Sequence, residues 1–287
     1  MFNDYVMVGG CFIMMLCIAG KNNIAVNTLD YIIHKYKKID VCVVCNKSDI
    51  GIDTWQKSLK KYAKENNIKE YLLEDIYKIK DLIFISLQFD RIIRPHLFKT
   101  NKLYNVHFSL LPAHKGMYTA IMPILEGDEK AGVTLHKIDA GIDTGDIIDQ
   151  ISFNIAGLNS KELYELYIEY GTKIIEKNLN KILKNEVVAH RQPKTDSTYH
   201  SMKAIDFNNI VIDLNQTADV IDRQIRAFYF ENYQVPCVFD KQIYKTKILN
   251  KKSTLKPGNI INTSKDGMII SSIDYDIKLY YYKKGSK

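Results

Sequence analysis

The chain has 287 residues, with 40 Lys+Arg against 33 Asp+Glu and a formal net charge of +7. Apolar residues make up 46% and charged residues 25%, which is ordinary globular usage and excludes a disordered chain, a fibrous repeat or a coiled coil. That length suits one large domain and a smaller one, each with a dry core.

In chain order, the uncharged run from Tyr5 to Gly20 comes first. It is shorter than the ~20 apolar residues of a membrane span, lacks the opening Lys or Arg of a signal peptide, and is split by Gly9-Gly10. The expectation is a lead of uncertain origin over residues 1–12, then a buried strand at about Ile13 to Ala19, in a cytoplasmic protein with no membrane partner. The 5 cysteines, Cys11, Cys17, Cys42, Cys45 and Cys237, are odd in number and scattered, as in a reducing compartment. Cys42 and Cys45 have CxxC spacing, but their apolar setting reads as strand core.

Ile24, Leu29, Ile32, Ile33 and Tyr36 follow at helical spacing. The run Ile39 to Cys45 reads as a parallel strand covered on both faces. A helix capped near Asp53-Thr54 carries Trp55, Leu59 and Tyr62, and short strands are expected at Tyr71 to Leu73, Leu82 to Leu87 and Tyr104 to Phe108. This alternation predicts an α/β fold with an open, mostly parallel, Rossmann-like sheet. Ligands of such sheets sit beyond the carboxyl ends of the strands. The first such loop, Ala19 to Asn23, lacks GxGxxG, and no GxxxxGK[ST] occurs, which removes most support for NAD- or ATP-dependent readings.

Asn159-Ser160-Lys161-Glu162 resembles a capping box opening a long helix with a stripe of Leu163, Leu166, Tyr170, Ile174, Leu179, Ile182 and Leu183. The pattern changes around Val187 to Pro193, a helix is expected at Ala218 to Phe228, and Pro257-Gly258 and Asp266-Gly267 mark turns between strands. The expected division is a catalytic domain over 13–190 and a small carboxyl-terminal α+β unit over 191–287.

The chemistry concentrates in Tyr104-Asn105-Val106-His107-Phe108-Ser109-Leu110-Leu111-Pro112 and in Asp139-Ala140-Gly141-Ile142-Asp143-Thr144-Gly145-Asp146. Strand alternation sends Asn105 and His107 to one face at a carboxyl end. The second loop follows a strand at about Gly132 to Lys137 and can bring a carboxylate to the same place. Together these groups suit acyl transfer to an amine. Histidine, with an ordinary pKa of ~6.5, takes the proton of the attacking amine. A fixed amide donor holds the developing oxyanion, a contact worth roughly 10²–10³ in rate. A carboxylate beside the imidazole orients it and favours its protonated form.

Asn105-x-His107-x-Ser109-Leu110-Leu111-Pro112-x-x-x-Gly116, then Gly132-Val133-Thr134-x-His136 and Ile142-Asp143-Thr144-Gly145-Asp146-Ile147, resembles the formyltransferases that use 10-formyltetrahydrofolate. That family includes glycinamide ribonucleotide, methionyl-tRNA and nucleotide-sugar enzymes. The resemblance implies the formyltransferase fold, 10-formyltetrahydrofolate as formyl donor, no metal, and catalytic roles for Asn105, His107 and Asp143. It implies that the folate lies against the backbone of Ser86-Leu87-Gln88-Phe89 and of Ile138, Asp139, Ala140, Gly141 and Asp143.

Ser86 to Ile93 and Met117-Tyr118-Thr119 look most like the sugar-nucleotide members. The implied substrate is a dTDP-linked 4-amino-4,6-dideoxy hexose for bacterial surface polysaccharide, with the 3-amino isomer as near competitor. His107, Ser109, Lys115, Gly116, Met117, Tyr118 and Thr119 are the expected acceptor-binding residues. Arg223 and Arg226, three apart on a helix, are expected to meet a pyrophosphate, and Tyr229 and Tyr233 to stack on a base. Tyr199, Lys203 and Asp206 are weaker candidates. Scattered lysines read as solvated faces, so no nucleic-acid partner is expected, and a homodimer is among the assemblies the resemblance allows. A tRNA-binding formyltransferase and a catalytically silent sugar-nucleotide module are the competing readings.

Overall fold

The computed structural model describes residues 14–231 and 233–283; the expected lead over 1–12 and Ile13 lie outside them. The strands are β1 (Met15–Gly20), β2 (Asp40–Cys45), β3 (Lys69–Glu70), β4 (Leu82–Leu87), β5 (Leu103–His107), β6 (Lys115–Gly116), β7 (Lys130–Lys137), β8 (Ile147–Asn154), β9 (Tyr199–His200), β10 (Cys237–Val238), β11 (Lys241–Lys252), β12 (Ile260–Ser264), β13 (Gly267–Ile270) and β14 (Tyr275–Tyr281). The helices are α1 (Asn22–Lys35), α2 (Leu59–Glu65), α3 (Leu73–Ile76), α4 (Met122–Glu126), α5 (Ser160–Leu183) and α6 (Ala218–Phe228).

The chain packs as two compact units. One holds the chain through Lys115 with Gly132–Ser152 and Tyr167–Tyr199; the other holds Gly116–Ala131, Phe153–Leu166 and the chain from His200 on. The sequence pattern suggests one cut near residue 190, whereas the packing divides the chain into interleaved segments.

A seven-stranded sheet runs in the order β3-β2-β1-β4-β5-β7-β8. Strands β3 through β5 pair in parallel, and β7 runs antiparallel to β5. Strands β1 and β4 are apolar along their length because each lies between two neighbours with both faces covered. Cys17 and Cys42 are cross-strand partners within this core, and burial pushes the Cys17 thiol well above its ordinary value, as for a structural cysteine. One side of the sheet gathers Phe84, Leu82, Leu73, Ile76 and Phe98, with Phe89 and Ile138 packed at its margin. On the other, Gly171 of α5 lies so close to Ile24, Phe108 and Val106 that a Cβ there would meet Ile24 at 2.6 Å.

Two expected elements shift. The cap of α2 is Ser58, whose hydroxyl accepts from the Lys61 amide; Asp53 instead accepts the Ser58 amide, and the helix starts later than Asp53-Thr54 suggests. Tyr71 to Leu73 is not a strand. Asp75 accepts the Leu72 amide and, with Glu74, sets acidic charge in the first turn of α3, where a helix amino terminus favours it. The capping box of α5 is present, with Asn159 accepting from Lys161 and Glu162 while Glu162 returns to the Asn159 amide.

The second unit contains a five-stranded sheet in the order β10-β11-β14-β13-β12, antiparallel at each pairing. Helix α6, with the bounds its pattern predicts, is capped by Thr217 and buries Ala218, Ile221 and Ile225 against Ile243, Met268, Ile270, Ile277 and Leu279. Ser264 pairs with Gly267, so the β12–β13 turn is Lys265-Asp266. No helix among the described residues is long and apolar enough to cross a membrane.

Beyond β5 the chain turns sharply through Ser109 to Lys115, with a cis Leu111–Pro112 bond. One buried hydroxyl organises the turn. Thr134 Oγ1 donates to the Ser109 carbonyl (2.6 Å) and accepts from the Leu111 amide (3.1 Å) and from Gln150 Nε2 (2.8 Å). Gln150 also reaches the Leu111 carbonyl, and Thr198 Oγ1 accepts the His114 amide at 2.7 Å. Replacing Thr134 by Val keeps the shape but leaves the Leu111 amide and Ser109 carbonyl without this partner. At about 1–3 kcal/mol per stranded buried group, Thr134→Val is expected to lower unfolding free energy by about 3 kcal/mol, read as a fall in the urea midpoint of the purified protein.

Candidate active site

The two-residue period of β5 turns Asn105 and His107 to one face, and its antiparallel pairing with β7 sets Asn105 opposite His136 and His107 opposite Thr134. The loop from Ile138 to Asp146 supplies Asp143. Its shape comes from Asp139, whose Oδ1 accepts from the Gly141 amide (3.1 Å) and Thr144 Oγ1 (2.7 Å). At Gly145 a Cβ would stand 1.8 Å from the Lys137 carbonyl oxygen, so only glycine permits the approach. Asp143 itself is left-handed (φ 53°), a conformation in which Asp is tolerated better than most side chains. Gln192 clamps the loop from a distance, its Nε2 donating to the carbonyls of Asp143 (2.8 Å) and Gly145 (2.9 Å).

Asp143 is the meeting point. Its Oδ2 lies 3.5 Å from His107 Nδ1, and its Oδ1 lies 3.4 Å from Asn105 Nδ2 and 3.6 Å from His136 Nε2. His107 Nε2 is 2.8 Å from the His114 carbonyl, which can only accept, so Nε2 carries the hydrogen. In the neutral ring the lone pair is then on Nδ1, facing the carboxylate. Burial lowers the His107 pKa from its ordinary value; Asp143 and the His114 bond raise it, with smaller effect. The carboxylate favours the protonated ring, as the sequence suggests, but desolvation of an imidazole only 8% exposed outweighs it and sets the net direction.

The other expected residues divide by their surroundings. Ser86 and Leu87 are buried, so their side chains face the core. Gln88 has φ 57°; its carbonyl accepts from Asn46 Nδ2 (2.9 Å) and its Oε1 from Asn22 Nδ2 (3.3 Å). Phe89 and Ile138 pack against the sheet core, while Ala140 and Gly141 are exposed. Ser109 is buried and its hydroxyl donates to the Ala113 carbonyl at 2.7 Å, so it shapes the turn and does not face an acceptor. Lys115 donates from Nζ to Ser197 Oγ at 3.0 Å.

In the second unit, Gly116 and Tyr118 have positive φ; Tyr118 donates to the Met202 carbonyl (2.6 Å) and meets Phe207 edge-on, while Met117 is exposed and Thr119 half-buried. Arg223 and Arg226 share a face of α6 and are both half-buried. Arg223 pairs with Asp219 and donates to the Leu125 carbonyl; Arg226 pairs with Asp222 and donates to the Leu158 carbonyl. These bonds tie α6 to its own neighbours while leaving both guanidinium groups partly exposed. Tyr229 is half-buried beside Tyr244 and Tyr282, its hydroxyl pushed up to about 12 by burial, and Tyr233 is exposed. Tyr199, Lys203 and Asp206 are exposed, with Asp206 accepting the Asn208 amide.

Sequence reasoning passed over His136, Thr134 and Gln192. The first two lie within a quoted motif, and the period of β7 puts them on one face, so the signal was there. Gln192 lies 49 residues from Asp143 with no local pattern to announce it.

Residues 11–176 match the formyl transferase family model and residues 204–287 match the formyl transferase carboxyl-terminal domain model. The crystal structure of WlaRD, a sugar 3N-formyl transferase in the presence of dTDP and 5-N-formyl-THF, is 42% identical with a TM-score of 0.88, over 95% of this chain and 99% of that one. An N-formyltransferase from Helicobacter canadensis, in complex with folinic acid and dTDP-3-aminofucose, is 42% identical with a TM-score of 0.87, over 94% of this chain and 100% of the other. The methionyl-tRNA formyltransferase of Clostridioides difficile (strain 630) is 30% identical over 277 residues, 91% of this chain and 89% of its own. With both domain models matched and the fold shared along nearly its whole length, this chain belongs to the formyl transferase family and is a formyltransferase.

Proposed function

We propose that this enzyme moves the formyl group of 10-formyltetrahydrofolate to the amine of a dTDP-linked 3-amino sugar. The observation that carries the chemistry is the Asp143 carboxylate within 3.4 Å of the Asn105 amide and 3.5 Å of the His107 ring. The 3-amino acceptor is supported by the two relatives at 42% identity, one a sugar 3N-formyl transferase and one in complex with dTDP-3-aminofucose. The 4-amino acceptor implied by the motifs is the alternative the assay must separate.

The amine nitrogen forms a bond to the formyl carbon, and the bond from that carbon to N10 of the folate breaks. The amine gives up a proton and N10 gains one, so the reaction is proton-neutral. His107, neutral with its lone pair on Nδ1, is the group able to take the amine's proton, directly or through water. Its Nε2–H stays on the His114 carbonyl throughout and fixes the ring. Asp143 holds the face of the ring where the proton arrives and stabilises the imidazolium that forms. Asn105 Nδ2 donates to the formyl oxygen as it becomes negative. Loops Ser86 to Phe89 and Ile138 to Asp143, at the ends of β4 and β7, are the proposed folate contacts.

Tetrahydrofolate release is expected with dTDP-3-amino-3,6-dideoxy sugars. Release only with 4-amino sugars would replace the acceptor, and release only with methionyl-tRNA would overturn the sugar reading while leaving the chemistry in place. Asn105→Ala is expected to lower kcat by about 10²–10³, and an unimpaired variant would remove the oxyanion role.

The pH profile tests the base. Because the His107 pKa is lowered, the acid limb of kcat/KM is expected below pH ~6.5. The negative charge of Asp143 raises that pKa, so Asp143→Asn is expected to shift the limb further toward acid as well as reducing the rate. A limb that moves toward alkaline pH would assign it to another group.

A further inference from the structure

We propose that His136 orients the Asn105 amide, making its nitrogen rather than its oxygen the end presented to the reacting carbonyl. The inference rests on the oxyanion role assigned to Asn105 and adds the residue that makes that role unambiguous.

His136 lies on β7 directly across from Asn105 and is 2% exposed. Its Nδ1 is 2.8 Å from the carbonyl oxygen of Lys137. A carbonyl only accepts, so a hydrogen is on Nδ1, and in the tautomer with a single hydrogen Nε2 carries the lone pair. That lone pair is 3.0 Å from Asn105 Nδ2. A primary amide has two donors at one end and none at the other, and only the nitrogen end can satisfy Nε2. A flipped amide would bring two lone pairs together in a nearly dry site, where an unmatched acceptor is costly.

The second neighbour makes the same demand. Asp143 Oδ1, 3.4 Å from the same nitrogen, is also an acceptor. Both groups that face the amide nitrogen are therefore acceptors. When the formyl oxygen takes the place of Asp143 Oδ1, the bond to His136 keeps the remaining N–H, and hence the amide plane, where it was. His136 acts through Asn105 without touching the reacting atoms, so it is a positioning residue.

Side-chain length distinguishes this from mere packing. In His136→Asn the shorter amide can still donate to the Lys137 carbonyl in the manner of Nδ1, but it offers nothing at the position of Nε2. In His136→Gln the terminal amide oxygen can stand near that position. The experiment measures kcat and both KM values for wild type, His136→Asn, His136→Gln, Asn105→Ala and the double variant Asn105→Ala/His136→Asn, with a thermal melt of each.

The expected result is a loss of about 10–10² in kcat for His136→Asn, within the effect of removing an oxyanion donor, with both KM values within about threefold. His136→Gln should recover most of that loss. In the Asn105→Ala background, His136→Asn should cost less than about twofold, because residues acting as one unit are not additive. If it lowers the Asn105→Ala variant by the same factor as it lowers wild type, His136 acts independently and the proposal falls. Near wild-type kcat for His136→Asn alongside an impaired Asn105→Ala also overturns it. An Asn105→Ala enzyme at full rate would instead sink the oxyanion reading itself, so the two failures are told apart.

Discussion

The antiparallel pairing of β5 with β7 is the constraint on which the rest of the site depends. At the end of the parallel run β3-β2-β1-β4-β5, β7 returns beside β5 in a register that faces Asn105 with His136 and His107 with Thr134. A slip of β7 by one residue would send His136 and Thr134 to the face opposite Asn105 and His107. Because β7 ends where the loop to Asp143 begins, the same register also fixes where the carboxylate enters. Two polar groups of β5 and a carboxylate from a loop beyond β7 thereby meet on a surface whose other side is dry core.

That dryness decides the electrostatics. A carboxylate 3.5 Å from an exposed imidazole would ordinarily make the ring a stronger base. Here burial is the larger influence and holds His107 neutral. The protein then controls the hydrogen it retains. The His114 carbonyl takes Nε2–H, and the turn carrying that carbonyl is fastened by Thr134, Gln150 and Thr198. A tautomer in β5 is thus set by hydroxyls and amides in three other parts of the chain. His136 is fixed in the opposite sense, with its hydrogen on Nδ1 and its lone pair on Nε2, so the two imidazoles turn basic nitrogens toward a single carboxylate.

How legible this was from sequence depends on the range of the interaction. Strands β2 and β4, the capping box at Asn159 and helix α6 follow from residues within a turn or two, and each is found within a residue of its expected place. Asn105 and His107 were legible for the same reason, since a two-residue period needs no tertiary knowledge. The α2 cap was misplaced because three side chains, Asp49, Asp53 and Ser58, divide the amides of Lys60, Ser58 and Lys61 among them, and that division is settled in three dimensions. Arg223 and Arg226 share a face of α6 as their spacing implies, but spacing does not show that each already has an acidic partner one turn away. A basic pair on a helix has the same pattern whether it meets a phosphate or the carbonyls of Leu125 and Leu158.

The same difference in range separates reaction from specificity. The proposed proton removal and oxyanion stabilisation would require only that an amide, an imidazole and a carboxylate keep their mutual geometry, and here that geometry is written into one pair of strands and one glycine-dependent loop. Relatives with amino-sugar and tRNA acceptors can therefore share it while differing elsewhere. Choice between acceptors rests on groups that distinguish a hexose amine from an aminoacyl ester of RNA. The +7 charge, spread as scattered lysines, supplies general attraction for any polyanion rather than discrimination between them. Discrimination instead requires a fixed donor set matched to one acceptor, and the helix most suited by composition to provide it, α6, has its arginines committed to its own unit.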